Sequence, residues 1–357
     1  MGGSEPHAVG SVGAKILLVK LSSLGDVVHA LPVVQDIRAA LPGAQIDWVV
    51  EKSFAPVLAL NHGLHRVIPC EIRRWRKSPL SAVTRQQWNA FKADLRQTDY
   101  DAVIDLQGLT KSAVVARLTR LAPGGKRYAL ANQTDGSGYE APTRWVADVA
   151  IRIEPHIHAV QRSRELAARA LGYTPAVSPD FGLKMAMTQA LYAQAATENI
   201  ANKIAFVHGT SRTDKEWPMA HWLALGQRFN AAGCQIALAH GNAKELATSQ
   251  SIANALNASH PANAIVWPLL PLDALACELA RCAGVIGVDS GVSHIAVALD
   301  LPHVQLYNFD TAWRTGPHEA GRRQVSVYAQ PAPGVDAVWQ AWRACQATGA
   351  DFTPAAE

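Results

Sequence analysis

A chain of 357 residues is too long for one ordinary hydrophobic core and is long enough for two domains. Apolar residues make up 49% of the sequence and charged residues 17%, which excludes general disorder. A membrane-spanning helix needs roughly 20 consecutive apolar residues. No stretch approaches that length, because prolines interrupt the longest apolar runs, such as AIVWPLLPL at 264–272.

The net charge of +4 is too small to indicate nucleic-acid binding without a concentrated basic patch. The five cysteines are odd in number and scattered, which predicts free, buried thiols in a reducing cytoplasm. Residues 1–14 lack a basic segment followed by an apolar one. We therefore expect a flexible lead there and not an export signal.

From Lys15 onward, short apolar runs alternate with longer amphipathic segments. In the first half, runs typical of strands occur at 15–21, 45–51, 66–71 and 100–108, and helical periodicity at 27–41, 82–98, 110–121 and 157–171. A polar, glycine-rich loop is predicted at 131–143. In the second half, strands are predicted at 203–209, 234–241, 264–268, 285–289 and 303–308, and helices at 219–232, 243–256, 272–282, 292–299 and 335–347.

Apolar strands that alternate with helices predict parallel sheets covered on both faces. The expected fold class is therefore α/β, with two doubly wound parallel-sheet domains that face each other across a cleft. The expected boundaries are a lead at 1–14, a first domain at 15–180, a linker at 181–202, a second domain at 203–330 and a tail at 331–357. The helix of the tail is expected to return to the first domain.

Ligands of open parallel sheets bind outside the carboxyl ends of the strands. After the first strand comes SSLGDVVH at 22–29, where Gly25 is expected to turn the chain sharply and Asp26 to enter the first helical turn. Asp26 has two compatible interpretations. It caps the helix, or it is an ionised carboxylate that accepts a proton from an attacking hydroxyl group.

Three further strand ends carry polar residues suited to a nucleotide. HGTSRTDKEWP at 208–218 offers hydroxyl groups and Lys215 for phosphate, although a solvated loop explains it too. GVDSGVSH at 287–294 is expected to hold an anion at a helix start, with a structural histidine as the alternative. Glu245 follows another strand and could bind ribose hydroxyl groups, or could simply favour the helix dipole.

A basic run, RRWRK at 73–77, suits an anionic acceptor or an acidic membrane surface, and a solvated loop is the plain alternative. Its single tryptophan is no stacking platform, so nucleic acid is not expected as a partner. No G-x-G-x-x-G follows the first strand and no G-x-x-x-x-G-K-[ST] occurs, which disfavours a dinucleotide-dependent dehydrogenase and a P-loop phosphotransferase.

Three stretches in order, KILLVKLSSLGDVVHALP, HGTSRTDKEWP and VDSGVSHIAVAL, resemble the bacterial ADP-heptose:lipopolysaccharide heptosyltransferases over about 15–330. The first stretch most resembles members that add the first heptose to the Kdo region of the inner core. The resemblance implies a GT-B fold, two Rossmann-like domains with the active site between them. It also implies inverting, metal-independent transfer from ADP-L-glycero-D-manno-heptose without a cofactor. The implied location is the cytoplasm, peripherally on the inner membrane.

The resemblance also assigns roles to residues of this chain. The implied catalytic residues are Asp26, as the base, and Lys215. The implied donor-binding residues are Thr210, Ser211 and Lys215 on the diphosphate, Glu245 on the nucleoside, Asp289 on the heptose, and Ser290, Gly291 and His294 on phosphate and sugar. The expected contacts of the anionic Kdo-lipid A acceptor are Ser23, Gly25, Arg73, Arg74, Arg76 and Lys77.

Other functions remain open at this point. The chain could act at a later position of the core, or it could be a nucleotide-sugar epimerase or hydrolase of the same architecture. A non-catalytic nucleotide-sugar binder is the remaining alternative.

Overall fold

The computed structural model describes residues 13–183, 202–261, 263–317 and 323–347. The chain divides into two compact units between Gly182 and Leu183. Most of the lead predicted at 1–14 and of the linker predicted at 181–202 therefore lies outside the described residues. In the part of the chain that is described, no helix is long and apolar enough to cross a membrane.

The first unit is built on a six-stranded parallel sheet with the strand order β3-β2-β1-β4-β5-β6. Its strands are β1 Lys15–Val19, β2 Gln45–Glu51, β3 Arg66–Cys70, β4 Asp99–Asp105, β5 Arg120–Leu130 and β6 Val149–Ile151. Its helices are α1 Leu24–Ala30, α2 Pro32–Ala40, α3 Ala55–Ala59, α4 Ile72–Trp75, α5 Ala82–Leu95, α6 Thr110–Leu118, α7 Pro142–Val146 and α8 Ala159–Leu171. A short 3₁₀ turn spans Lys52–Phe54.

The second unit repeats this architecture, with the order β12-β11-β10-β7-β8-β9 and every pairing parallel. Its strands are β7 Lys203–Val207, β8 Gln235–Leu238, β9 Ala264–Val266, β10 Gly284–Val288, β11 His303–Tyr307 and β12 Gln324–Tyr328. Its helices are α9 Met219–Ala231, α10 Ala243–Asn257, α11 Leu272–Ala280, α12 Gly291–Ala298, α13 Ala312–Thr315 and α14 Val335–Ala347, with a 3₁₀ turn at Thr213–Lys215.

Numbered within its own unit, each sheet has the doubly wound order 3-2-1-4-5-6. The strand order reverses between β1 and β4 in the first unit, and between β7 and β10 in the second. Residues 16–19 of β1 are fully buried, as expected for a central parallel strand covered on both faces. The loops that follow β1, β4, β7 and β10 leave the sheets at the reversal points, where such folds bind ligands.

The structure confirms the α/β architecture and corrects several details. Strands β5, β6 and β12 were not predicted from the sequence. Strand β5 contains Pro123, Gly124 and Gly125, which resemble a turn, and it accommodates them through a register shift against β4 between Tyr100 and Ala102. The single helix predicted at 27–41 is two helices, because Pro32 begins α2 after the junction at Leu31.

The expectation that the last helix returns to the first domain is wrong. Helix α14 packs against β11, β12 and α9 of the second unit. Val338, Trp342 and Cys345 are buried in the second hydrophobic core, and the Trp342 and Phe229 ring centres lie 5.6 Å apart. Of the five free cysteines, Cys70, Cys282 and Cys345 are buried as expected, whereas Cys234 and Cys277 are only half-buried.

Candidate functional site

Asp26 is the third residue of α1 and lies just after the central strand β1. Its Oδ2 accepts hydrogen bonds from the Ser23 amide at 3.2 Å and from the Ser23 hydroxyl at 2.8 Å. Asp26 therefore takes the capping position that the sequence allowed. A carboxylate in the first turn of a helix is favoured in its ionised form by the helix dipole.

Two cations face the other carboxylate oxygen. Lys20 Nζ lies 3.6 Å from Asp26 Oδ1, and Arg162 Nη2 lies 3.5 Å from the same atom. The Lys20 side chain is only 1% exposed, whereas that of Asp26 is 37% exposed. Lys20 Nζ also donates to the Leu106 carbonyl oxygen at 3.0 Å, which fixes the cation behind the carboxylate.

This arrangement shifts the pKa values of both partners. Burial by itself would raise the pKa of Asp26, but the charges of Lys20 and Arg162 and the Ser23 hydrogen bond outweigh it, so the pKa lies well below the usual range. Burial lowers the pKa of Lys20 to about 8, against the opposing effect of Asp26. At neutral pH, Asp26 is thus a half-buried, ionised carboxylate that a substrate hydroxyl group could reach.

Lys20 and Arg162 were not among the residues predicted from the sequence. Lys20 stands at the end of the apolar run KILLVKL, where the neighbouring side chains are buried, and a charge in such a place indicates a partner. Arg162 lies on the buried face of α8, as does Arg164, whose guanidinium group pairs with the Asp36 carboxylate at 2.7 Å.

The sequence interpretation of Gly25 needs correction. Gly25 is the second residue of α1 and has a negative φ, so the turn after β1 does not depend on a left-handed glycine. Ser23 is exposed and is the N-cap residue of α1.

The four cations of the basic run are exposed, and some of them contact other side chains. The Arg73 guanidinium carbon lies 6.0 Å from the ring centre of Phe54, and Arg74 forms an ion pair with Glu71 at 2.7 Å. Arg76 lines a cavity of about 740 Å³, and Lys77 follows it on the surface. Of the four predicted cations, only Arg76 lines this cavity.

The cavity combines apolar walls with cations. Its lining includes the tryptophans Trp75 and Trp88, whose ring centres are 5.6 Å apart, and it also includes Lys111. Lys111 Nζ donates to the Ser22 hydroxyl at 2.6 Å. Lys111 therefore connects this cavity to the loop between β1 and α1, just before the helix that carries Asp26, and sequence analysis did not identify it.

In the second unit, three of the predicted residues meet at the ends of β7 and β10. Lys215 Nζ lies 2.5 Å from Asp289 Oδ2, and His294 Nε2 lies 3.4 Å from Asp289 Oδ1. The Thr315 hydroxyl donates to Asp289 Oδ1 at 3.5 Å, a contact that sequence analysis missed. Burial by itself would raise the pKa of Asp289, but His294 and Lys215 outweigh it and hold the pKa well below its usual range.

Hydroxyl groups border this cluster. Thr210 donates to the Asp289 carbonyl oxygen at 3.4 Å, and Ser211 next to it is exposed. Ser290 is the N-cap of α12 and accepts from the Ser293 amide at 3.5 Å, while Gly291 is the first residue of that helix. The helix starts two residues after Asp289, which pairs with Lys215, and the amide groups of such a helix start can attract an anion.

Glu245 lies in the first turn of α10 and lines a smaller cavity of about 180 Å³, together with Thr210 and Trp222. Its carboxylate accepts hydrogen bonds from the Gly241 amide and the Asn242 side chain, both at 2.7 Å. It also packs against Gly209, where a Cβ atom would come within 2.6 Å of the Glu245 carboxyl carbon. The glycine thus lets Glu245 approach the loop after β7.

In the second unit the predicted residues thus form one cluster, with Glu245 beside it at the cavity that it shares with Thr210. In the first unit Ser23 contacts Asp26, whereas Arg73 and Arg74 contact Phe54 and Glu71 and Arg76 lines the larger cavity. Among residues 13–183, 202–261, 263–317 and 323–347, no group of three or more His, Cys, Asp or Glu side chains is placed to hold a metal ion.

Comparison with known proteins places this architecture in a family. The sequence model described as glycosyltransferase family 9 (heptosyltransferase) matches residues 88–340. Lipopolysaccharide heptosyltransferase 1 of Pseudomonas aeruginosa is 37% identical over 320 residues, which cover 88% of this chain and 83% of that protein.

Solved structures of heptosyltransferases resemble this chain as well. Escherichia coli heptosyltransferase WaaC with ADP superposes with a TM-score of 0.80 at 32% identity, covering 91% of this chain and 98% of that one. The same E. coli enzyme with ADP-2-deoxy-2-fluoro heptose gives a TM-score of 0.76 at 32% identity and the same coverage. The fold is thus that of the GT-B heptosyltransferases, and the chain belongs to glycosyltransferase family 9, the heptosyltransferases.

Proposed function

We propose that this chain transfers L-glycero-D-manno-heptose from ADP-heptose to a Kdo hydroxyl group of the lipopolysaccharide inner core, with inversion at the anomeric carbon. The observation that carries the proposal is the Asp26 carboxylate at the carboxyl end of β1, capped by Ser23 and flanked by Lys20 and Arg162. The family membership and the relatives named as lipopolysaccharide heptosyltransferase 1 support the donor and the acceptor.

In this proposal the second unit binds the donor. Lys215, held in place by Asp289, and the start of α12 would attract the diphosphate, and Thr210 and Ser211 would donate hydrogen bonds to it. His294 and Asp289 lie at the same strand end and would contact the sugar and phosphate. Glu245 would bind the ribose hydroxyl groups from the neighbouring cavity. An ionised carboxylate only accepts hydrogen bonds, and the ribose hydroxyl groups can donate them.

The first unit would bind the acceptor and supply the base. Kdo is an acid, so its carboxylate suits cations, and Lys111 and Arg76 line one cavity. Lys111 links this cavity to Ser22 in the loop before α1, the helix that carries Asp26. Arg73, Arg74 and Lys77 would add positive potential around the lipid-linked acceptor. Ser23 and Gly25 would lie next to the reacting hydroxyl group.

The chemical step is a single displacement. The Kdo hydroxyl oxygen forms a bond to the anomeric carbon of the heptose while the bond from that carbon to the ADP oxygen breaks. The hydroxyl proton passes to Asp26, and ADP leaves with the electron pair of the broken bond. A general base of this kind contributes about 10²–10⁴-fold to the rate. Lys215 and the N-terminus of α12 would stabilise the charge that develops on the diphosphate.

The lipid-linked acceptor also suggests where the protein works. We propose that the chain associates peripherally with the cytoplasmic face of the inner membrane, because its acceptor is embedded there. The exposed cations of the basic run support this location, since anionic lipid headgroups attract such residues.

The test is to offer ADP-heptose and a Kdo-bearing lipid A acceptor without added divalent metal. The proposal expects the acceptor mass to increase by one heptose residue while ADP is released. Loss of ADP-heptose at the same rate without acceptor would instead indicate a hydrolase or epimerase. Tight binding of ADP-heptose with an unchanged acceptor mass would indicate a binding protein.

A further inference from the structure

The first unit exposes apolar side chains beside its basic run. Leu80 is 84% exposed, Val83 is 60% exposed and Val114 is 45% exposed. In the described part of this unit, only Trp145 and Val177 are other large apolar side chains with comparable exposure. Single exposed apolar side chains are normal on a protein surface, but a group of them in one place indicates an interaction.

One of these side chains lines the cavity of about 740 Å³, and the other two are next in sequence to residues that line it. Val114 lines the cavity of about 740 Å³ directly. Leu80 and Val83 adjoin Pro79 and Thr84 in the sequence, and both of those residues line it as well. The residues from Arg76 to Val83 form an unbroken exposed segment between α4 and the first turn of α5. The exposed segment that carries Leu80 and Val83 thus contributes Arg76, Pro79 and, just after it, Thr84 to the same cavity as Val114.

Cations occur on the same exposed segment and in the same cavity lining. Arg76 and Arg85 line the same cavity, and Lys77 is exposed next to Arg76. The acidic residue in the lining, Glu140, is already engaged, because its carboxylate accepts a hydrogen bond from the Thr110 amide at 2.7 Å. We call the surface formed by Arg76, Lys77, Leu80, Val83, Arg85 and Val114 the docking surface.

We propose that the docking surface binds an anionic phospholipid bilayer, with Leu80 and Val83 at the boundary between headgroups and acyl chains and the cations on lipid phosphates. This proposal rests on the proposed function, which requires a lipid-linked acceptor. Apolar side chains ringed by Lys and Arg are typical of interfacial membrane binding. The surface thereby brings the cavity next to Lys111 to the membrane in which the acceptor lies.

Charge and size favour a bilayer over a protein partner. A second copy would place the same cations against one another, and like charges that meet at an interface are costly. Three apolar side chains also cover much less area than the roughly 800 Å² per partner of a stable protein interface. A bilayer supplies both the negative charge and an apolar layer at a shallow depth.

The test measures sedimentation of the full-length protein with vesicles of phosphatidylcholine alone and with vesicles that also contain phosphatidylglycerol. We expect binding to the anionic vesicles that weakens with added salt. The double variant Leu80→Ser and Val83→Ser should lower the partition coefficient about tenfold or more, because apolar area no longer leaves water. The controls Val177→Ser and Leu269→Ser remove similarly exposed side chains elsewhere, 92% and 66% exposed, and should bind like the wild type.

Equal binding of the double variant and the wild type would overturn the proposal. So would equal binding to both kinds of vesicle, or a dimer in sedimentation velocity that the double variant dissociates. A soluble, deacylated Kdo acceptor separates this proposal from the proposed function. The double variant should glycosylate this acceptor at the wild-type rate. Failure of the wild type to glycosylate it would overturn the proposed function, and the vesicle assay would still decide whether the docking surface binds a bilayer.

Discussion

Lys20 lies behind Asp26 and holds its carboxylate in the ionised form, so Lys20→Met should raise the pKa of Asp26. Methionine keeps an unbranched side chain of similar length in a position that is 1% exposed, and it removes the charge. A base must be deprotonated to accept a proton. Activity that depends on Asp26 should therefore fail at a higher pH in the variant than in the wild type.

The distance sets the size of the effect. At 3.6 Å, two unit charges attract by about 1 kcal/mol in a medium like water and by about 4–5 kcal/mol at an effective dielectric constant of about 20. The Asp26 side chain is 37% exposed, so the lower part of this range applies. A change of about 1.4 kcal/mol corresponds to one pH unit. The pH at which activity is lost on the acid side of the kcat/KM profile (the acid limb) should therefore move upward by about one unit or slightly less.

The assay is the pH dependence of kcat/KM, which reports groups of the free enzyme. Arg162→Gln removes the second cation and should move the limb in the same direction, whereas Lys52→Met on the exposed surface should leave it in place. Burial raises the pKa of nearby Asp105 to about 6, so the profile of Asp105→Asn identifies any limb that belongs to that residue. A folded Lys20→Met variant with the wild-type profile would refute this electrostatic reasoning.

Three further outcomes follow from the structure. Lys215→Ala should weaken ADP binding about tenfold or more, measured by calorimetric titration, because a charged hydrogen bond to phosphate is lost, whereas Arg343→Ala on the exposed face of α14 should not. Between about pH 4 and about pH 6 the folded wild type binds more protons at Asp105 than the unfolded chain does, so its free energy of unfolding should fall as pH rises through this range. Asp105→Asn should remove this pH dependence, which denaturant titrations at both pH values check. Trp342→Ala should lower the free energy of unfolding by about 3–5 kcal/mol and destabilise the second unit selectively in calorimetry; a shift of the first unit's transition alone would contradict the placement of α14.

The sequence predicted most of the fold because buried parallel strands form short apolar runs between helices. KILLVKL and KIAFVHG stand out for this reason, and both are central strands of their sheets. The prediction failed where a strand is polar, short or interrupted, as in β5 with its Pro-Gly-Gly sequence. It also failed for α14, since an amphipathic pattern shows that one face is buried but not against which sheet.

The candidate site was predictable to the extent that it follows strand ends. Asp26, Lys215, Asp289 and His294 all occupy such positions. Their electrostatic partners were harder to find, because Arg162 is 136 residues from Asp26 in the sequence and reaches it only through the packing of α8 beside α1. Periodicity placed α8 correctly but did not show which strand-end charge its buried arginines would meet.

The central claim is that Asp26 is the base for heptose transfer, and Asp26→Asn tests it most directly. The variant keeps the size and the capping oxygen but cannot accept the hydroxyl proton as a carboxylate does. With ADP-heptose and a Kdo-bearing acceptor, we expect kcat to fall at least about 10²-fold. Calorimetric titration should give an unchanged affinity for ADP. Turnover of the Asn variant near the wild-type rate would contradict the account.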